Sequence, residues 1–301
     1  MTTLDFGPLV LGGNTFGWTS DREESFAVLD AFVAAGGVSI DTADVYSAWV
    51  PGNVGGESET IIGEWLAARG QRDRVVIASK VFSLPSRSGL SRANILAAVD
   101  DSLRRLQTDY LDLYYAHRDD TAVEQQEYVA AFDELVTAGK VREVGASNFS
   151  AERLSSAVRL ATDAGLTPFT VAQDKYNLVD RELEAELIPT LDALGIVELP
   201  YSALASGFLT GKYRPGVDVQ SARSGGASAL LGEPRTLELL GILDDIAAAR
   251  GVSPAAVALA WLRQQPSVGA PIASARTIEQ LPALVESFAL TLSDDELSQL
   301  S

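Results

Sequence analysis

The sequence predicts a (β/α)8 TIM barrel, an α/β fold formed as a single domain over residues 1–301, and three observations lead there. Eight short, mostly apolar runs of strand length alternate with longer amphipathic runs, a rhythm that builds parallel strands joined by right-handed crossovers. The 301 residues suit this architecture, which takes ~250 residues or more in one domain. The competing open doubly wound sheet needs a Gly-rich dinucleotide turn after its first strand. Gly12-Gly13-Asn14-Thr15-Phe16-Gly17 is the one candidate, and it lacks the G-x-G-x-x-G spacing.

The strands are expected at Leu9–Gly12, Val38–Thr42, Val75–Val81, Leu111–His117, Val141–Ser147, Phe169–Lys175, Ile196–Ser202 and Gly269–Ser274. Each is a mostly apolar run of the length expected for a strand covered on both faces. Between them, Arg22–Ala35 carries apolar residues at helical spacing and ends at Gly36-Gly37, a C-cap signal. Ser58–Arg69 stops at Gly70, Ser91–Leu106 opens on an N-cap serine, and Glu124–Ala138 stops at Gly139. Ala151–Ala164 follows Ser150, Arg181–Leu194 stops at Gly195, and Thr236–Arg250 stops at Gly251. Ser253-Pro254 starts a helix to about Gln265, and Thr277–Phe288 and Asp294–Leu300 close the chain. The interval 204–235 is rich in Gly and Pro, including Gly225 and Gly226, and carries no clear long helix. A stretch of that length in a compact domain is usually functional, and here it falls on the C-terminal face, where barrel active sites are built.

Composition narrows the function. The chain has 23 Lys plus Arg against 41 Asp plus Glu, a net charge of −18, which argues against nucleic acid and against anionic membrane surfaces as partners. It has no Cys and one His, His117, so thiol catalysis, iron–sulfur clusters and multi-His or Cys metal sites are excluded. The start lacks the pattern of a signal peptide and no apolar run reaches bilayer length, so a cytoplasmic protein is expected.

Polar residues at strand C-termini face a barrel's active site. Here they include Asp41 with nearby Tyr46, then Lys80, His117, Ser147-Asn148, Gln173, Tyr201-Ser202 and Ser274 with Arg276. A free tyrosine has a pKa of ~10, and a neighbouring ammonium favours its phenolate. A carboxylate would keep that ammonium oriented, and a histidine beside the phenol can orient a carbonyl oxygen. Asp41, Tyr46, Lys80 and His117 thus make a general acid for carbonyl reduction. Singly, each has a structural explanation. At successive strand ends the set of four is much less readily produced by packing alone.

Asp41-Thr42-Ala43-Asp44-Val45-Tyr46, Val76–Val81, Asp112–His117, Lys140–Ser150 and Tyr201–Tyr213 resemble, in order, signature blocks of the aldo-keto reductases. The resemblance runs from about Leu9 to Leu290. It implies NADP(H) bound in extended form and hydride transfer to an aldehyde or ketone, with Tyr46 as proton donor, Lys80 lowering its pKa, Asp41 pairing with Lys80 and His117 orienting the substrate. It further implies Ser147, Asn148 and Gln173 on the nicotinamide carboxamide and Tyr201 stacked on its ring. Ser202, Leu204 and Gly207 would cover the pyrophosphate, with the 204–235 loop closing over the cofactor. Ser274, Arg276, Glu279 and Gln280 would meet the adenosine end, and the planar fork of Arg276 suits a 2′-phosphate.

Phe16, Trp18, Trp49, Phe82 and Phe208 are the expected substrate rim, and Glu198 is an acidic residue in an otherwise apolar strand. The partner is expected to be a small-molecule carbonyl. A second function class is a non-enzymatic, cofactor-sensing subunit like the potassium-channel β subunits that resemble this family. A long N-terminal extension would favour it, and the first strand here begins by about Leu9.

Overall fold

The computed structural model describes residues 2–217, 219 and 229–301. The strands are β1 (Val10–Gly12), β2 (Ser39–Asp41), β3 (Val76–Val81), β4 (Leu111–Ala116), β5 (Val141–Ser147), β6 (Val171–Gln173), β7 (Val197–Glu198) and β8 (Ile272–Ala273). They form one eight-stranded parallel sheet in the order β7-β6-β5-β4-β3-β2-β1-β8. The sheet curls until its edges meet. Glu198 N donates to Ser267 O at 2.7 Å, Gly269 N to Glu198 O at 2.9 Å and Ile272 N to Pro200 O at 2.8 Å. The predicted barrel is the fold observed.

The helices are α1 (Arg22–Ala34), α2 (Glu57–Arg69), α3 (Arg92–Leu106), α4 (Gln125–Thr137), α5 (Ala151–Ala164), α6 (Leu187–Leu194), α7 (Pro234–Arg250), α8 (Pro254–Arg263), α9 (Leu281–Val285) and α10 (Asp294–Gln299). Their starts follow from side chains that satisfy free backbone donors. Asp21 and Glu24 form a capping box on α1, while Ser91, Ser150 and Ser253 accept from the third residue of α3, α5 and α8. Gly63 on α2 is needed for packing, because a Cβ there would lie 2.1 Å from Arg105 O on α3.

Two predicted helices are shorter than expected, for one reason. Arg181–Leu194 resolves into a 3-10 turn at Glu182–Glu184 followed by α6, and Thr277–Phe288 into a 3-10 turn at Ile278–Gln280 followed by α9. Pro189 and Pro282 have no N–H to give the carbonyl four residues back, and their rings crowd it, so an α-helix begins just before each proline. The 204–235 interval is ordered at its near end as a 3-10 segment, Ala205–Thr210, and α7 begins two residues earlier than expected. Residues 218 and 220–228, with Gly225 and Gly226, lie outside the described residues.

Strand alternation sorts the apolar side chains into two layers. Val10, Ala78, Leu113, Tyr115, Val171, Leu199 and Ile272 fill the barrel interior, with Phe6 of the N-terminal segment among them. Tyr114, Ala116, Val144 and Ala172 face outward into the larger core shared with the helices. No helix among the described residues is long and apolar enough to cross a membrane.

Candidate active site

The ends of β2, β3 and β4 and the loop after β2 bring Asp41, Tyr46, Lys80 and His117 together. Lys80 is fully buried at 0% exposure, and its Nζ donates to Asp41 Oδ2 at 2.5 Å, to Thr42 O at 2.8 Å and to Tyr46 Oη at 2.8 Å. All three donor positions of the ammonium are therefore used. The Tyr46 hydroxyl donates to Asp41 Oδ2 at 3.2 Å, and Gln173 Nε2 donates to Asp41 Oδ1 at 2.9 Å. The His117 ring lies edge-on to Tyr46, centroids 6.2 Å apart. The four residues expected to act together are together.

Their electrostatics correct one expectation. Burial, and then the neighbouring Asp41 carboxylate, hold the Tyr46 phenol well above its usual pKa, despite Lys80. The ammonium is shared with Asp41, and burial together with that carboxylate outweighs it at the phenol. Burial pulls Lys80 below its ordinary value, an effect Asp41 opposes. Burial, then Lys80 and Arg118, push His117 well below the usual imidazole range, so it is neutral at physiological pH. Its Nδ1 is buried without a hydrogen-bond partner among the described residues. Burial thus favours the protonated phenol and the uncharged imidazole, while Asp41 favours the charged form of Lys80.

A cleft of roughly 550 Å³ runs from this set across the C-terminal face. Asp41, Tyr46 and His117 line it together with Ser147, Asn148, Gln173 and Tyr201. Ser202, Leu204, Gly207, Ser274, Arg276 and Gln280 line the rest of it. Asn148 ties three strands here. Its Nδ2 donates to His117 O at 3.0 Å and to Ser147 Oγ at 2.9 Å, and its Oδ1 accepts from Tyr201 Oη at 2.9 Å. Arg276 is fixed through its backbone, its N donating to Gln280 Oε1 at 3.0 Å and its O accepting from Ser20 Oγ at 2.8 Å. Its guanidinium makes no ion pair among the described residues, and neither does Lys212 on the same cleft.

The backbone is strained on this cleft. Asn148 (φ 58°), Ser202 (φ 55°), Ala205 (φ 45°) and Ser206 (φ 57°) are left-handed without being glycine. Such conformations persist where surrounding structure enforces them and gather at ligand sites. At the cleft floor a Cβ on Gly12 would stand 2.6 Å from Ser274 Oγ, so the missing side chain keeps that floor open.

The substrate rim is largely corrected. Phe16 and Phe208 are fully buried in the outer core, and Phe82 packs against that core rather than lining the cleft. Burying these rings in that core is more favourable than exposing them. Trp18 lines the cleft, and Trp49, 49% exposed, stacks edge-on against both Trp18 and Tyr46, centroids 5.6 and 6.2 Å away. Glu279 is exposed and does not line the cleft. Asn14, Arg118 and Lys212 line it without having been foreseen. The one available signal was position: Arg118 follows His117, Asn14 sits in the first βα turn, and Lys212 sits in the Gly-rich interval.

A closed parallel barrel with a lysine-bonded phenol and an imidazole beside it on a long cleft can hand a proton to a bound small molecule. A profile of the Aldo/keto reductase family matches residues 8–301, and the chain belongs to that family. It is 36% identical to Protein tas of Escherichia coli over 328 aligned positions, covering 99% of this chain and 94% of that protein. It is 33% identical to norsolorinic acid reductase stcV of Emericella nidulans, covering 97% of this chain and 77% of that protein. Putative aryl-alcohol dehydrogenase AAD14 of Saccharomyces cerevisiae is 32% identical, covering 97% of this chain and 82% of that protein. Members of the family generally work with nicotinamide cofactors.

Proposed function

We propose that this protein is a cytoplasmic NADPH-dependent reductase that converts a small aldehyde or ketone to its alcohol, with Tyr46 as general acid. The contact that carries the reading is Lys80 Nζ to Tyr46 Oη at 2.8 Å at the head of the cleft. The phenol keeps its proton until a carbonyl oxygen develops charge beside it. Passing the proton leaves a phenolate against the Lys80 ammonium, which offsets the cost of a buried negative charge. Water then returns the proton. Neutral His117 lines the cleft next to Tyr46 and supplies a second contact for the carbonyl oxygen.

The residues present suit the cofactor. Bound NADPH supplies a hydride for the carbonyl carbon. Ser147, Asn148 and Gln173 offer amide and hydroxyl partners for a carboxamide, and Tyr201 offers a ring face. Ser202, with Leu204 and Gly207 of the 204–235 interval, borders the pyrophosphate path, and Ser274, Gln280 and Arg276, which makes no ion pair among the described residues, take the adenosine end. An unpaired guanidinium in a chain of net charge −18 is well suited to a 2′-phosphate, which favours NADP(H). Trp18 and Trp49 favour aryl carbonyls, in keeping with the name of the yeast relative.

The test is to titrate NADPH and NADH against the purified protein and then follow NADPH consumption with 4-nitrobenzaldehyde and a panel of aliphatic, aryl and sugar carbonyls. Turnover of the aryl compounds with NADPH preferred is expected. Tight NADPH binding with no turnover across the panel would instead favour the sensing-subunit reading.

A further inference from the structure

Glu198 is fully buried, yet it sits in an apolar strand. Its neighbours Val197 and Leu199 face the barrel interior, so alternation turns the carboxyl outward, behind the strands. There Glu198 Oε1 accepts from Asp174 N at 2.7 Å, and Asp174 Oδ1 accepts from Asn148 N at 2.8 Å. The first bond fills a gap in the sheet. Leu199 N donates to Ala172 O at 2.9 Å and Tyr201 N to Asp174 O at 2.9 Å. Between these two ladder bonds, the Asp174 N–H meets a side chain rather than a strand carbonyl. The second bond holds the backbone of a residue in a left-handed conformation, φ 58°, whose side chain ties His117, Ser147 and Tyr201 at the head of the cleft.

Neither carboxyl forms an ion pair among the described residues, and Glu198 Oε2 has no partner there. Burial pushes Asp174 up to about 7 and Glu198 well above the carboxylate range. Burial therefore favours the protonated form of Glu198. Burying it costs free energy, and the bond to Asp174 N is what it delivers in return.

We propose that Glu198 and Asp174 are positioning residues of the cofactor site: a relay of two carboxyls behind β6 and β7 that sets the Asn148 backbone, and through it the side chain facing the nicotinamide carboxamide. The inference rests on the NADPH reading above. It separates acceptor geometry from charge. Glu198→Gln keeps a neutral oxygen acceptor of the same length, whereas Glu198→Leu keeps the volume and removes the acceptor. Asp174→Asn and Asp174→Ala make the same contrast one step nearer Asn148.

The experiment measures NADPH affinity by quenching of tryptophan fluorescence, steady-state kinetics at saturating NADPH, and hydrogen exchange of the Asn148 amide in cofactor-free protein. Glu198→Leu and Asp174→Ala should weaken NADPH on the order of tenfold, the effect of one lost buried hydrogen bond. The maximal rate should fall less, and the Asn148 amide should exchange faster. Glu198→Gln should stay within about twofold of the parent, since its acceptor is retained. If Glu198→Leu does not fold, Asp174→Ala carries the same comparison. Folded Glu198→Leu or Asp174→Ala protein with parental NADPH affinity and unchanged Asn148 exchange would reduce the pair to a structural filler. Faster Asn148 exchange in a protein that binds no nicotinamide cofactor would uphold the relay's geometry and overturn its role at a cofactor.

Discussion

Two sets of buried carboxyl groups stand on opposite faces of the barrel wall, one on β2 and the other at β6 and β7. Inside the barrel mouth, Asp41 accepts from Lys80, Gln173 and Tyr46. Behind β6 and β7, Asp174 and Glu198 each accept one backbone N–H and have no cation. The inner set is built around a charge pair, and such a pair gives a proton donor a stable place to leave negative charge. The outer set has no cation among the described residues and holds backbone. Burial alone does not distinguish them; the presence of Lys80 does. Chemistry should therefore fail when the inner set is broken, and cofactor binding should fail when the outer set is broken.

The sharpest break is Tyr46→Phe. It removes the acid while leaving the cleft wall almost unchanged in shape. Turnover should drop by about two orders of magnitude or more, the contribution of a general acid. NADPH affinity should stay near the parental value, the reverse of the pattern expected for Glu198→Leu. Parallel losses of rate and affinity in both variants would erase the distinction between the two faces.

Next comes Lys80→Met. Removing one partner of a buried pair strands Asp41 in a dry site, at a cost of about 3–5 kcal/mol. Chemical denaturation should register that loss. Asp174→Asn should show no such loss, because no counter-charge depends on Asp174. Equal destabilisation of the two variants would mean that the inner pair is not the electrostatic keystone its geometry implies.

Much of this was legible in the chain. All eight strands lie within the predicted runs, because continuous apolar runs and capping signals are local properties. Asp41, Tyr46, Lys80 and His117 could be found because a barrel places strand ends on one face. What failed was what depends on packing partners. Phe16 and Phe208 are equally able to line a cleft or fill a core until the neighbouring helices are in place. Pro189 and Pro282 were visible, yet the helical periodicity around them masked their effect on the preceding turn. Lys212 and Arg118 reach the cleft from distant segments, and local sequence does not encode that convergence. Glu198 was conspicuous as an acid in an apolar run, and alternation already allowed its outward direction, but its partner Asp174 N could be identified only in three dimensions.

Smaller effects probe the far end of the cleft. Arg276→Ala removes an unpaired guanidinium whose backbone is otherwise fixed by Gln280 and Ser20. NADPH should weaken about tenfold, the size of one charge-assisted hydrogen bond, while NADH changes little. Equal losses for both cofactors would end the 2′-phosphate assignment and leave Arg276 as a general wall of the cleft.

The smallest effect is a slope in pH. The Asp174 carboxyl is raised from 3.8 to about 7, so between those values the folded protein keeps a proton that the unfolded chain has lost. Stability contributed by this group therefore falls as pH rises from about 4 to about 7 and then levels off. Asp44, likewise raised to about 7 chiefly by burial, adds to the same slope in the parent protein. Asp174→Asn removes only the share of Asp174. The stability of the variant relative to the parent should rise by about 1 kcal/mol per pH unit on approaching pH 7, and stay constant above it. Urea unfolding at intervals from pH 5 to pH 8 reads that difference directly. A difference independent of pH would mean that Asp174 is ionised throughout, with a cation held close enough to make the outer carboxyls resemble the inner one.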